Sequence, residues 1–307
     1  MTVKIGIVGY GKIAQDQHVS AIFSHPGLEL VAIADPAAHS ETLACYPGIE
    51  AMLEGEPQLD AVAMCQPPQA RFAAARAGLM AGKHVLLEKP PGATLSEVEA
   101  LIALAGQKRV TLFTAWHSQE AAAAEAARAW LAGQSIQRVL INWKEDVRVW
   151  HPGQQWIWQP GGFGVFDPGI NALSLLTAIM PEPVRLTAAE LFTPANRAAP
   201  IAANLAMELA SGVPIMAEFD FRQTGPQNWD IVVEAAGGTM LLQHGGNAMS
   251  IDGAVQNCGD QAEYPRLYRR FMNLIGSGES EVDLAPLRLV ADAFLIGRST
   301  LVEPFED

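Results

Sequence analysis

The chain has 307 residues, 50% of them hydrophobic, and sets 20 Lys and Arg against 33 Asp and Glu for a formal charge of −13. Such a length exceeds what one growing core accommodates, so two domains are expected, and the acidic balance argues against nucleic acid or an anionic membrane as partner because both would repel it. Cys45, Cys65 and Cys258 are odd in number and lack metal-ligand spacing, which argues against a disulfide framework or a zinc site and suits a reducing compartment. No apolar run approaches the ~18 residues of a membrane span and no basic leader precedes the first strand, so a cytoplasmic location is expected.

The first third alternates short apolar runs with helical patterns, as βαβ units in a parallel sheet do. Strands are predicted at Val3 to Val8, Leu28 to Ala34, Asp60 to Cys65, His84 to Leu87 and Val110 to Trp116, with helices at Ile13 to Ser24 and Pro68 to Ala81. Thr94 or Ser96 can cap a further helix, each having a glutamate three places on. After an Ala-rich helix, Ala121 to Leu131, the strands lengthen: Ile136 to Val147, Val184 to Phe192, Ala202 to Leu209, Ile215 to Phe221 and Ile231 to Ala235. Ser211-Gly212 and Gly237-Gly238 read as turns between antiparallel neighbours. Helices are predicted at Pro168 to Ile179, Tyr264 to Ile275 and Pro286 to Ser299. The fold class is therefore α/β: an N-terminal doubly wound parallel sheet of Rossmann type, residues 1–118, and a C-terminal α+β domain with a large open, mostly antiparallel sheet, residues 119–307.

Gly9-Tyr10-Gly11-Lys12-Ile13-Ala14 follows the first strand and opens the first helix, the context in which a GxGxxG/A run means dinucleotide binding. Gly9 and Gly11 would let backbone approach a pyrophosphate, and Lys12 and Ile13 begin the helix whose free N–H groups would face it. Asp35 ends the second strand, 21 residues after Ala14, where an acid accepts from the adenosine ribose. A carboxylate there repels a 2′-phosphate by roughly 1 to 4 kcal/mol if partly solvated, and Pro36-Ala37-Ala38-His39 supplies no arginine. NAD is thus expected over NADP; the competing reading of Asp35 is a turn aspartate before Pro36. Cys65 and Pro67, at the carboxyl edge of the next strand, would line the cofactor.

Between Asn142 and Asn171 fall four of the seven tryptophans, Trp143, Trp150, Trp156 and Trp158, among Lys144, Glu145, Asp146, His151 and Asp167. Flat apolar rings among carboxylates, amides and imidazole suit a carbohydrate, which offers C–H faces and a hydroxyl fringe. A Trp-rich structural loop is the alternative. Glu145 alternates with Val139, Ile141 and Trp143 on the apolar side of its strand, an unusual site for a carboxylate unless something binds it; sugar hydroxyls would.

Glu88-Lys89-Pro90 after a strand, downstream of the glycine turn, resembles the hallmark of the glucose-fructose oxidoreductase/inositol dehydrogenase (Gfo/Idh/MocA) family, and the similarity runs the length of the chain. Residues 11–18 (Gly-Lys-Ile-Ala-Gln-Asp-Gln-His), 88–95, 143–148, 150–158 and 164–174 resemble the family's bacterial D-galactose and L-arabinose 1-dehydrogenases. The resemblance implies oxidation of an anomeric hydroxyl to an aldonolactone with NAD(P)+, with no metal, and a homodimer or homotetramer through the second-domain sheet, the strand Val213 to Phe221 being a candidate contact. It departs from the wider family at one place: Asp167 is followed four residues later by Asn171 rather than histidine, and an amide cannot take a proton as imidazole can. The same asparagine is a feature of the arabinose and galactose enzymes.

The expected catalytic residues are Lys89, Asp167 and Asn171. Asp167 and Asn171 share a helix face and would meet the C1 hydroxyl, Asp167 as base; the competing reading makes Asp167 a helix cap. Lys89, at a strand end beside the nicotinamide, would polarise the developing alkoxide, or else form a surface pair with Glu88, which is placed with it at the cofactor. His117, Trp150, His151 and Trp158 are carried over from the resemblance as hydroxyl donors and an apolar platform, with Glu145, although a lone histidine is more often structural. The alternatives kept open are a dehydrogenase of another sugar or cyclitol, and a non-catalytic nucleotide and sugar sensor on the same scaffold.

Overall fold

The computed structural model describes residues 2–306, which fall into two compact units: one runs through His117 and adds Glu263–Asp283, the other is Ser118–Ala262 with the residues from Leu284 onward. A single boundary at residue 118 therefore leaves one segment on the other side. Helix Glu263–Ser277 buries Tyr264, Leu267, Tyr268 and Phe271 in the same core as Val3, Ile5 and Ile7. Their spacing makes one apolar stripe, but a stripe does not say which core it will enter.

In the first unit six parallel strands, β1 (Val3–Val8), β2 (Leu28–Ala34), β3 (Ala44–Tyr46), β4 (Ala61–Met64), β5 (His84–Glu88) and β6 (Leu112–Ala115), lie in the order β3-β2-β1-β4-β5-β6. This is the dinucleotide-binding order, whose ligand crevice lies at the carboxyl ends of the strands. β1, β4 and β5 are almost wholly buried, as strands covered on both faces must be. β3 and helix Ile49–Gly55 carry no periodicity strong enough to foresee. The helix predicted from Ile13 to Ser24 divides into a π-helical turn, Ala14–His18, and an α-helix, Val19–Ser24; in the wider turn His18 is fully buried. Thr94 is the cap of helix Leu95–Lys108: its side chain accepts from the Glu97 N–H, and Glu97 reaches back to the Ala93 N–H at 3.1 Å.

The second unit is built on nine strands: β7 (Ile136–Lys144), β8 (Val184–Pro194), β9 (Ala202–Leu209), β10 (Pro214–Asp220), β11 (Asn228–Ala235), β12 (Gly238–Gln243), β13 (Ala248–Ile251), β14 (Ala254–Val255) and β15 (Arg298–Val302). Their order is β14-β13-β12-β11-β7-β10-β9-β8-β15, antiparallel except for β7 with β10 and β8 with β15. Helices Ala124–Leu131, Phe166–Ile179 and Ala285–Ile296 belong to the same unit. Along β10 Ile215, Ala217 and Phe219 are buried while Pro214, Met216 and Glu218 are exposed, the alternation of a sheet covered on one face. The last helix ends at Ile296 rather than Ser299: Gly297 turns the backbone to the extended region, and the segment after it, with the β-branched Thr300 and Val302, adds β15 to the sheet edge.

Candidate active site

In the first unit the glycine turn forms as the sequence predicts. Gly9 has φ 86°, and a side chain there would meet the Gln66 backbone nitrogen at 2.7 Å, whereas a Cβ on Gly11 would project into open space. That leaves a cradle beside the helix N-terminus in which Gly9 admits no side chain. Asp35 closes it: Oδ2 accepts the Tyr10 N–H at 2.8 Å and Oδ1 the Ala37 N–H at 2.9 Å. The carboxylate is thus both a turn aspartate and a tie to the glycine turn, with lone pairs left on each oxygen. Lys12 is exposed and pairs with Asp16, and Ile13 packs half-buried against the core.

Cys65 and Pro67 follow β4, with Pro67 at the N-cap of helix Pro68–Met80. One residue that sequence reasoning passed over organises this edge. Arg71, buried on that helix, donates to the carbonyls of Gln66, Glu88 and Pro90, tying the turn after β4 to the turn after β5. Lys89 is half-buried there, ahead of a cis Lys89–Pro90 bond. Glu88 does not form a surface pair. It is 2% exposed and turns inward, its Oε1 accepting from the Tyr264 hydroxyl at 2.6 Å with His18 Nε2 at 3.2 Å. His117 opens a 3-10 turn after β6; its Nδ1 lies 2.7 Å from Glu263 Oε2 and its ring stacks on Tyr264.

In the second unit β7 ends at Lys144, Asp146 caps the short helix Val147–Trp150, and Glu145 is left between them, 2% exposed. What binds it is protein: Oε1 is 2.9 Å from His151 Nε2, and Oε2 accepts from Trp229 Nε1 at 2.8 Å. The other face of the imidazole meets the helix acid, His151 Nδ1 lying 3.3 Å from Asp167 Oδ2 without the alignment of a hydrogen bond. Glu145, His151 and Asp167 therefore form a carboxylate–imidazole–carboxylate series, an arrangement able to hold and move one proton.

Helix Phe166–Ile179 begins at Val165 as N-cap, with no side-chain cap. Asp167 and Pro168 thus sit inside its first turn, where an acid is favoured by the free N–H groups and proline costs nothing, and Asp167 is not the cap. Asn171 lies one turn further on, half-buried. Trp229 is the residue missed in this unit. It pairs with Trp143 across β11 and β7, and its ring meets Trp150 edge-on at 4.7 Å. Trp150 is 40% exposed and so presents a ring to solvent. Trp158 is instead packed between Phe221 and Arg197, one ring removed from His151, which also touches Phe221.

Among the described residues no group of three His, Cys, Asp or Glu is placed to hold a metal ion, and no helix is long and apolar enough to cross a membrane.

Residues 3–116 match the Gfo/Idh/MocA family, described as an oxidoreductase family with an NAD-binding Rossmann fold. Galactose 1-dehydrogenase of Pseudomonas fluorescens is 46% identical over 305 residues, 99% of each chain. The crystal structure of a D-galactose-1-dehydrogenase from Rhizobium etli superposes with a TM-score of 0.96 at 54% identity, covering 99% of this chain and 98% of that one. A 3-ketoreductase from Actinomadura kijaniata, crystallised with TDP-benzene and NADP, shares the fold alone, with a TM-score of 0.86 at 18% identity and coverage of 98% and 100%.

Proposed function

From the premise that this chain belongs to the Gfo/Idh/MocA oxidoreductase family and is a sugar dehydrogenase acting on a CH–OH group, we propose that it oxidises the anomeric hydroxyl of D-galactose to the aldonolactone. L-Arabinose is a second substrate on this reading, since it differs only in the group on C5, and such a difference is worth only about 1 to 3 kcal/mol in a pocket. The observation that carries the proposal is the Glu145–His151–Asp167 series, set beside the Trp150 and Trp229 rings.

The cradle at Gly9 and Gly11, closed by Asp35, fits a dinucleotide, and NAD(P)+ bound there would supply the hydride acceptor. Gly9, Gly11, Lys12, Ile13, Asp35, Cys65 and Pro67 would hold it. Asp167 takes the hydroxyl proton and His151, 3.3 Å away, gives that proton an onward path. Asn171 orients the hydroxyl, Lys89 donates to the oxygen as the carbonyl forms, and His117 and Trp150 contribute a hydrogen bond and an apolar face. Glu145 acts through His151.

Incubating the purified protein with a panel of aldoses and either NAD+ or NADP+, and following reduced nicotinamide, tests each part. Turnover with D-galactose is expected, and its absence with every aldose would leave a binding protein on the same scaffold. Asp35 sets the cofactor: NAD+ is the better substrate, and an equal or higher kcat/KM with NADP+ would overturn that assignment. A homodimer or homotetramer through the open face of the second-unit sheet, where Met216 is exposed, belongs to the same proposal; a monomer in sedimentation would remove it.

A further inference from the structure

At the strand end that carries Lys89 lies a polar cluster that this chemistry does not use. His18 comes from the π-helical turn, Glu88 from the end of β5, and Tyr264 and Tyr268 from one face of helix Glu263–Ser277; all are buried. His18 Nδ1 is 2.7 Å from the Tyr268 hydroxyl and Nε2 is 3.2 Å from Glu88 Oε1. Tyr264 donates to that same oxygen at 2.6 Å. The other oxygen, Oε2, accepts the backbone N–H of Lys89 at 2.5 Å.

A buried charge pair contributes little to stability, since desolvating two ions commonly offsets their attraction and apolar side chains of similar volume would fill the space as well. The neighbours, Ile5, Ile7, Leu86, Phe113 and Phe271, are such side chains. What the cluster does achieve is local: it fixes a carboxylate one residue from Lys89 and bonds that carboxylate to the Lys89 backbone. We propose that His18, Tyr264 and Tyr268 are positioning residues of the dehydrogenase, holding Glu88 as an oriented carboxylate at the root of Lys89 so that the turn keeps one geometry and one charge. The proposal rests on the reading of Lys89 as the group that polarises the substrate oxygen.

The electrostatics agree. Burial works against the Glu88 carboxylate, but the hydrogen bond and charge of His18, with the charges of His117 and Lys89, hold its pKa down at about 2. Burial also works against the His18 imidazolium, yet Cys65, Tyr268 and Glu88 raise its pKa well above the ordinary value. The groups facing Glu88 are thus His18, Lys89, His117 and Tyr264, with Cys65 and Tyr268 against His18, Glu263 against His117, and Arg71 on the Glu88 carbonyl.

The test compares Tyr264→Phe and Tyr268→Phe, each lacking one oxygen, with Glu88→Gln and Lys89→Met, measuring kcat and KM from about pH 5 to about pH 9. Tyr264→Phe is expected to lower kcat about five- to tenfold across this range, with sugar KM changed less than about twofold, because a carboxylate with a folded pKa of about 2 stays ionised at these pH values when short of one donor and loses its orientation rather than its charge. Glu88→Gln is expected to lower kcat about tenfold at every pH.

The protein without cofactor gives a second readout. A depressed carboxylate contributes stability above its unfolded pKa that is lost as pH falls through the folded one, so the Tm gap between wild type and Tyr264→Phe should shrink as pH drops from 4.5 towards about 2. The two tyrosine variants decide the matter if Glu88→Gln does not fold. Values of kcat within about twofold of wild type for both across the range, whatever their Tm, would overturn the proposal. Turnover by Lys89→Met would strike the reading of Lys89 instead.

Discussion

Each of the two units buries one glutamate, and each gives it one imidazole and one aromatic donor. In the first the set is Glu88, His18 and Tyr264; in the second it is Glu145, His151 and Trp229. They differ in what lies on the far side of the imidazole. His18 is sealed, its second nitrogen 2.7 Å from the Tyr268 hydroxyl. His151 is partly accessible and turns its second nitrogen to another carboxylate, Asp167, at 3.3 Å. An imidazole held on both sides fixes a charge, whereas one poised loosely between two carboxylates can pass a proton. On the proposed reading the same three chemical parts hold in one place and transfer in the other.

The largest effect expected from breaking this contrast is at the transferring end. Asp167→Asn should lower kcat by about 10² or more while the protein stays folded, since an amide accepts no proton; turnover near that of wild type would remove Asp167 as the base. His151→Phe should come next, with kcat reduced about tenfold and sugar KM affected less, because Asp167 remains but loses its neighbour. If kcat is unchanged, the imidazole is a packing residue and the contrast with His18 disappears.

At the holding end the expected signature is in stability. The folded pKa of His18 is raised, so its contribution is fully present below the unfolded value of 6.5 and is lost as pH rises through the folded one. The Tm difference between wild type and His18→Gln should therefore be widest near pH 6 and narrow towards alkaline pH; a difference that instead widens towards alkaline pH would mean that His18 is buried neutral. Trp229→Phe should give the smallest change. Losing one donor to a buried carboxylate costs about 1 to 3 kcal/mol of stability, read as a lowered Tm with kcat reduced less than in His151→Phe.

Much of the cofactor half was legible in the chain. The glycine turn, Asp35 and Glu88-Lys89-Pro90 are local signals: a tight turn needs a residue free of Cβ, and the end of a strand places its own sequence neighbours at the sheet's carboxyl edge. Glu145 was also legible, because a carboxylate in register with Val139, Ile141 and Trp143 must find partners. Its partners were not. Trp229 is 84 residues away, brought in only by the pairing of β11 with β7, and the two-residue period of a strand does not name its neighbour. Trp158 sat in the same Trp-rich run as Trp150, yet only one of the two presents its ring, and burial of that kind depends on Phe221 and Arg197 from other strands and loops.

The sequence by itself determined the two architectures, the glycine turn and the residue types of the candidate site, since these arise from periodicity, glycine placement and side-chain inventory along a continuous stretch. Tertiary structure alone decided that helix Glu263–Ser277 returns to the first core, that Glu88 faces inward to Tyr264 and His18, and that His151 stands between Glu145 and Asp167. Each of those is a contact between segments separated in the chain, chosen by which buried polar atoms can satisfy one another once apolar faces have packed, and no local pattern encodes that choice.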